Sequence, residues 1–230
     1  MPSRNNGAVS RRLAHIAGLL DSVYGADLWH WSPEHVRGPM DVVAGAMLVQ
    51  HTTWQSAERA LEALRNATAL DPAIIAHMDD ASLVPMIAVS GTPTVKARRL
   101  RAIARTIVDS GGIDTFFALP DEELRARLLA THGVGDETAD AIMLYAANRR
   151  TFVIDAYTRR TFVRIGITPT DGDRYGDWQR LFEETLPAAD ATMFQRYHAN
   201  IVHHAKAVCR SQPRCAPCVL MNECTTGSSA

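Results

Sequence analysis

The chain closes on Cys209, Cys215, Cys218 and Cys224, spaced C-x5-C-x2-C-x5-C, and it holds no other cysteine. Four thiols packed into one short segment have only each other as partners, and they can surround a single metal centre. The start, Met1-Pro2-Ser3-Arg4-Asn5-Asn6, shows no apolar run of a secretory signal, which points to a reducing cytosol. Disulfides are rare in that compartment, so clustered cysteines read there as metal ligands. On spacing alone, iron–sulfur and zinc both remain open.

Composition excludes several classes. At 230 residues, 47% apolar and 21% charged, the chain has the makings of one or two globular domains. It contains no run of eighteen apolar residues, so no membrane span and no membrane partner is expected. The net charge of −1 argues mildly against nucleic acid, but the charge is uneven. Lys96, Arg98, Arg99, Arg101 and Arg105 form one basic group. Arg149, Arg150, Arg159, Arg160 and Arg164 form a second, and Lys206, Arg210 and Arg214 a third. A neutral protein can present a basic face to phosphates this way, although solvated helix faces look the same in sequence.

Helical periodicity runs through nearly the whole chain. Leu13, Ile16, Leu19, Leu20 and Val23 mark a first amphipathic helix. Val42, Val43, Ala46, Met47 and Val49 mark a second, apolar on most sides and therefore buried. Thr53 is the expected N-cap of a third, carrying Ala57, Ala60, Leu61 and Leu64, and Thr94 of another, carrying Ala97, Leu100, Ile103 and Ile107. Pro120-Asp121-Glu122-Glu123 is a helix start with acids facing the positive dipole end. Further helices are expected at about 136–148, 155–165, 173–185 and 190–208. Only Thr151-Phe152-Val153-Ile154 reads as extended, too short to build a sheet, so the class is all-α. No repeat or linker is evident, and both ends are polar and expected to fray.

Leu128 to Ile142 reads as helix, G-V-G turn, helix. Gly133 and Gly135 allow positive φ and close backbone approach, with Val134 between them, and a helix begins directly afterwards. Such a hairpin can hold a DNA phosphate on free helix N–H groups without reading sequence. A plain αα-corner shares the pattern. Downstream, Val153-Ile154-Asp155-Ala156-Tyr157-Thr158-Arg159-Arg160 delivers Asp155 to the start of a new helix, where an ordinary N-cap would also sit.

Taken together, the L-x-x-x-G-V-G-x-x-T-A-x-x-I hairpin, the V-I-D-x-Y-T-R-R segment and the four-cysteine loop resemble the endonuclease III-type helix-hairpin-helix DNA glycosylases, over roughly residues 30–224. The resemblance implies two helical lobes with DNA in the cleft between them. One would be a six-helix lobe over 35–149 with its hairpin at about 128–148. The other would combine 1–34 and 150–230 and carry the cysteine loop 209–224. It implies a [4Fe-4S] cluster on Cys209, Cys215, Cys218 and Cys224, with zinc as the alternative, although the family's first cysteine gap is one residue longer. It also implies a monomer acting on double-stranded DNA with a damaged base, cytoplasmic and meeting the nucleoid through that DNA. Asp155 matches the catalytic aspartate, which stabilises an oxocarbenium-like sugar as the base leaves. Gln50 and His51 fall in the family's S-A-Q-x-T-like segment. With Thr92, Lys96, Gly133, Val134, Gly135 and Thr138 they are the expected DNA contacts.

The chain also departs from the pattern. Bifunctional members carry G-V-G-x-K-T-A, whose lysine forms an imine with the sugar; here the position is Glu137, which cannot. A monofunctional glycosylase without lysine-dependent lyase activity is therefore expected. Glu137, the D-x-Y at Asp155 and Tyr157, and Trp29-His30-Trp31-Ser32-Pro33 look most like the 3-methyladenine glycosylase III branch. That implies an alkylated purine, whose cationic ring would stack on Trp29, Trp31 or Tyr157. Glu137 and Lys206 complete the expected base pocket; core packing of the tryptophans, a first-turn acid at 137 and a basic surface at 206 are the ordinary readings. Where the family often has a bulky wedge, Thr92 is small, which leaves Gln50 or a neighbour to fill the gap in the stack. Two other functions stay open: excision of uracil, mismatched thymine or oxidised bases, and a non-catalytic DNA-binding or redox-sensing cluster protein.

Overall fold

A computed structural model describes residues 4–25 and 36–227. Among them are twelve α-helices and no β-strand, which bears out the all-α class. In chain order they are α1 (Arg4–Tyr24), α2 (Pro39–Leu48), α3 (Trp54–Thr68), α4 (Pro72–His77), α5 (Asp80–Met86), α6 (Pro93–Asp109) and α7 (Ile113–Phe117). They continue with α8 (Asp121–Ala130), α9 (Asp136–Tyr145), α10 (Ala156–Ile165), α11 (Tyr175–Thr185) and α12 (Ala191–Ala207). No helix among the described residues is long and apolar enough to cross a membrane. The chain divides into a central unit, Pro33–Arg149, and a terminal unit formed by Met1–Ser32 with Arg150–Ala230.

In the central unit, α2 is buried from Met40 to Leu48, as its all-round apolar pattern requires. Its one acid, Asp41, is held at 2.6 Å by Nη2 of Arg65 from α3. Thr53 caps α3 by accepting the Ser56 N–H. Helix α6 does not start at a Thr94 cap. Pro93 occupies its first position, with Thr92 before it in the left-handed region at φ 43° and ψ 51°. Proline's fixed φ suits the first turn of a helix, and that outweighs the threonine's capping preference. Leu100, Ile103 and Ile107 of α6 then pack into the central core with Leu124, Leu128 and Ile142 of the hairpin.

The terminal unit is built around aromatic rings. Phe152 stacks on Phe182 with centroids 4.1 Å apart, and Phe162 meets Phe182 edge-on at 4.9 Å. Residues 151–154 are buried and belong to no helix or strand, so their backbone groups need side-chain partners. They have them: the Phe152 N–H donates to Glu183 Oε1 (2.8 Å), the Ile154 N–H to the Tyr175 hydroxyl (3.2 Å), and Gln179 Nε2 to the Phe152 carbonyl (3.1 Å). This bracing fixes where the segment ends, and Asp155 stands at that end.

Candidate functional site

Asp155 caps α10. Its Oδ1 accepts the Thr158 N–H at 2.7 Å, and Oδ2 lies 3.7 Å from His198 Nε2 on α12. The residue is 8% exposed, so the carboxylate is largely withdrawn from water. Burial alone would raise its pKa. The neighbouring His198 and the Thr158 N–H outweigh that and hold the carboxyl below its ordinary value. At 3.7 Å the His198 contact is longer than an ordinary hydrogen bond. Asp155 is thus both a helix cap and a buried anion, and the two roles do not conflict.

Tyr157 is half-buried in the first turn of α10. Its ring carries Arg160 Cζ at 5.1 Å and Lys206 Nζ at 5.6 Å from the centroid. Two cations of the same unit therefore already engage the face expected to receive a cationic base. Lys206 is exposed overall, yet desolvation draws its ammonium below the ordinary lysine value, against the opposing pull of Asp155. Asp155, Tyr157 and Lys206 are brought together as the sequence suggested. His198 joins them and carried no motif. The available signal was its spacing, since positions 198 and 206 are eight apart on one helix and share a face. Trp29 and Trp31 lie outside the described residues.

In the central unit the hairpin is α8, a turn at 131–135, and α9. Gly133 sits at φ 88°, and a Cβ there would run into the Arg99 side chain. Gly135 does not use the freedom expected of it: at φ −103° and ψ −178° it is ordinary extended backbone with open space around it. Gly133→Ala should therefore destabilise the protein by roughly 1–3 kcal/mol, and Gly135→Ala by less than about 0.5 kcal/mol, in thermal melts. Gly135 and Glu137 are exposed, Val134 is buried beneath the turn, and Thr138 is half-buried in the first turn of α9. Gln50 is tied to this hairpin. Its Nε2 donates to the Gly133 carbonyl and to Thr138 Oγ1, both at 3.1 Å, and its Oε1 accepts from Arg99 Nη1. Filling a gap in a base stack would require breaking those bonds. His51 (φ 55°) and Thr92 (φ 43°) are exposed non-glycine residues in the left-handed region, where a β-branched residue such as Thr92 is strained.

Lys96 corrects one expectation. Expected as a DNA contact, it is a buried residue, 1% exposed. Its ammonium donates to the carbonyls of Leu48 (2.7 Å) and Ser90 (2.5 Å), pinning the end of α2 to the chain before α6. Burial, and next the nearby Arg99, draw its pKa below the ordinary value. Replacing it by Met removes both charge-assisted bonds, so Lys96→Met should cost roughly 2–4 kcal/mol of stability. The salt dependence of DNA affinity should stay unchanged; a phosphate contact would instead lower that slope by about one.

No disulfide joins the four cysteines, and all four line one cavity together with Arg164, Val208, Pro213, Arg214, Met221, Thr226 and Gly227. No three of the described His, Cys, Asp or Glu side chains are grouped tightly enough for a single ion, so the thiols share a cavity rather than a point. Burial first, and then the charges of the other three cysteines, raise the Cys218 thiol. The loop is held mainly by α10. Arg160 Nε donates to the Cys209 carbonyl (2.9 Å), and Arg164 Nη1 to Cys209 Sγ (3.3 Å). In return the Arg164 carbonyl accepts the Thr226 N–H (3.2 Å). The donor set is soft, with no carboxylate lining the cavity, and it fits an iron–sulfur cluster or another thiophilic centre.

Known proteins fit this picture. The chain is 38% identical over 198 residues to a Methanocaldococcus jannaschii protein whose name assigns it, provisionally, to the DNA repair glycosylases; the match covers 85% of this chain and 88% of that one. It is 28% identical to an endonuclease III of Sulfolobus acidocaldarius, over 82% of each chain. Among solved structures, an H. pylori 3-methyladenine DNA glycosylase bound to 1,N6-ethenoadenine superposes with a TM-score of 0.73 at 25% identity, covering 84% of this chain and 97% of that one. Residues 44–188 match the model of one family, and on that match the chain belongs to the HhH-GPD superfamily of base excision DNA repair proteins.

Proposed function

We propose that the protein is a monofunctional DNA glycosylase that everts a damaged base, an alkylated purine such as 3-methyladenine first among candidates, and removes it by hydrolysis. The observation that carries the reading is Asp155. It is a buried carboxylate, held ionised by its surroundings, at the position that matches the family's catalytic aspartate. An anion beside the anomeric carbon stabilises the positive sugar as the base departs, and it can orient the attacking water. Glu137 stands where bifunctional relatives carry the imine-forming lysine, so no covalent sugar adduct forms at that position. The likeness to the 3-methyladenine glycosylase supports the substrate class. In this reading the cysteine cavity holds a [4Fe-4S] cluster, supported by four thiols around one cavity and by the endonuclease III relatives.

One observation favours a second substrate class. Arg160 and Lys206 beside Tyr157 make that surface positive, which repels a cationic base and suits a neutral pyrimidine whose carbonyls accept hydrogen bonds. Uracil or mismatched thymine meets that description. A panel of duplexes, each bearing one of these lesions, separates the two readings. Release of 3-methyladenine above uracil supports the first. The reverse order supports the second, and release of neither contradicts both.

A further inference from the structure

Three of the four thiol sulfurs lie near a nitrogen. Arg164 Nη1 reaches Cys209 Sγ at 3.3 Å, and the Gly227 amide reaches Cys224 Sγ at 3.4 Å. His204 Nε2, on α12, stands 3.7 Å from Cys218 Sγ. A guanidinium and a backbone N–H can only donate. A neutral imidazole donates from one nitrogen and accepts at the other, so what His204 offers Cys218 depends on where its proton sits.

The other edge of the ring decides this. His204 Nδ1 lies 3.1 Å from the Tyr24 hydroxyl at the end of α1. His204 is 1% exposed, and the Tyr24 ring covers it edge-on with centroids 5.9 Å apart. When the phenol donates to Nδ1, the ring proton is on Nε2 and points at the sulfur. In the opposite arrangement an Nε2 lone pair would face the lone pairs of a thiolate, which is repulsive. The sulfur and the phenol therefore favour the same tautomer.

We propose that Tyr24 and His204 are positioning residues for the metal centre: Tyr24 holds His204 as the Nε2–H tautomer, and His204 donates to Cys218 Sγ, raising the reduction potential of the cluster. A donor at a ligand sulfur withdraws charge from the centre and favours its reduced, more negative state. The consequence is specific to this chain's topology, because α1 and α12, far apart in sequence, jointly set an electronic property of the C-terminal loop. The inference rests on the iron–sulfur reading above.

The test uses the full chain with its cluster assembled, and it reads the visible absorbance and the one-electron reduction potential. Tyr24→Phe and His204→Leu each shift the potential to more negative values. His204→Gln, whose side-chain N–H can occupy the Nε2 position, restores most of the wild-type value. The double variant falls no further than His204→Leu alone, since both act through one bond. If His204→Leu fails to assemble a cluster, Tyr24→Phe alone carries the comparison. A wild-type potential in Tyr24→Phe, or additive shifts in the double variant, overturns the tautomer lock while the cluster stands. A colourless, zinc-loaded wild-type protein overturns the cluster reading itself.

Discussion

Asp155→Asn should slow base release by roughly 10³-fold while duplex affinity stays within about threefold. The substitution separates the two jobs of this residue. Asn caps helices about as well as Asp, so the bond to the Thr158 N–H can persist and α10 keeps its start. Only the charge is lost, and the charge is what the proposed reaction requires. Single-turnover release on a lesion duplex, paired with a binding titration, reads both quantities. A variant that still releases base at the wild-type rate would reduce Asp155 to a cap. The pH dependence has a definite sign. Because the folded carboxyl titrates below its ordinary value, it is ionised throughout the neutral range. Its contribution to stability is present above the unfolded value of about 3.9 and is lost as pH falls through the lower folded one. An acid limb in the rate profile above that unfolded value belongs to another group.

Cys218→Ser should remove the visible colour and lower the melting temperature by an amount corresponding to several kcal/mol, because a metal centre bound only by the folded loop contributes its binding energy to folding. The effect should spread beyond the loop. Helix α10 begins at Asp155 and ends at the residues that grip the cysteines: Arg160 and Arg164 donate to Cys209, and the Arg164 carbonyl takes the Thr226 N–H. Losing the centre would loosen the far end of the helix whose near end is capped by Asp155. Base release should therefore fall with the colour. A colourless Cys218→Ser protein that melts and reacts like wild type would show that the loop supports neither α10 nor Asp155.

The helical character of the chain was readable because burial at a 3.6-residue period leaves a mark on every long element. Leu13, Ile16 and Leu20 of α1 and Leu100, Ile103 and Ile107 of α6 are all buried. The short helices α4, α5 and α7 were not readable, since five to seven residues show barely two turns of any period. Their signals were local instead, as in the Asp71 cap before Pro72 and the Asp79 cap that accepts from Ser82. Motif order indicated Asp155, the hairpin and the cysteines. It could not indicate which polar residues face inward. Lys96 reads as one member of a basic run, and only the two carbonyls within reach of its ammonium make it internal. Gln50 likewise reads as a free amide until its partners in the hairpin, 83 and 88 positions away, are in place. His198 and His204 lack any motif, because each owes its role to a neighbour supplied by a different helix.

The most direct test of an unassisted hydrolytic glycosylase is strand integrity after base release. Wild-type protein is incubated with an end-labelled lesion duplex, and each sample is divided before and after hot alkali, with a parallel sample treated with borohydride. The expected result is an intact strand before alkali, full cleavage afterwards and no trapped protein–DNA adduct. A nicked strand without alkali, together with a borohydride-trapped adduct, would contradict it by revealing an amine at the sugar.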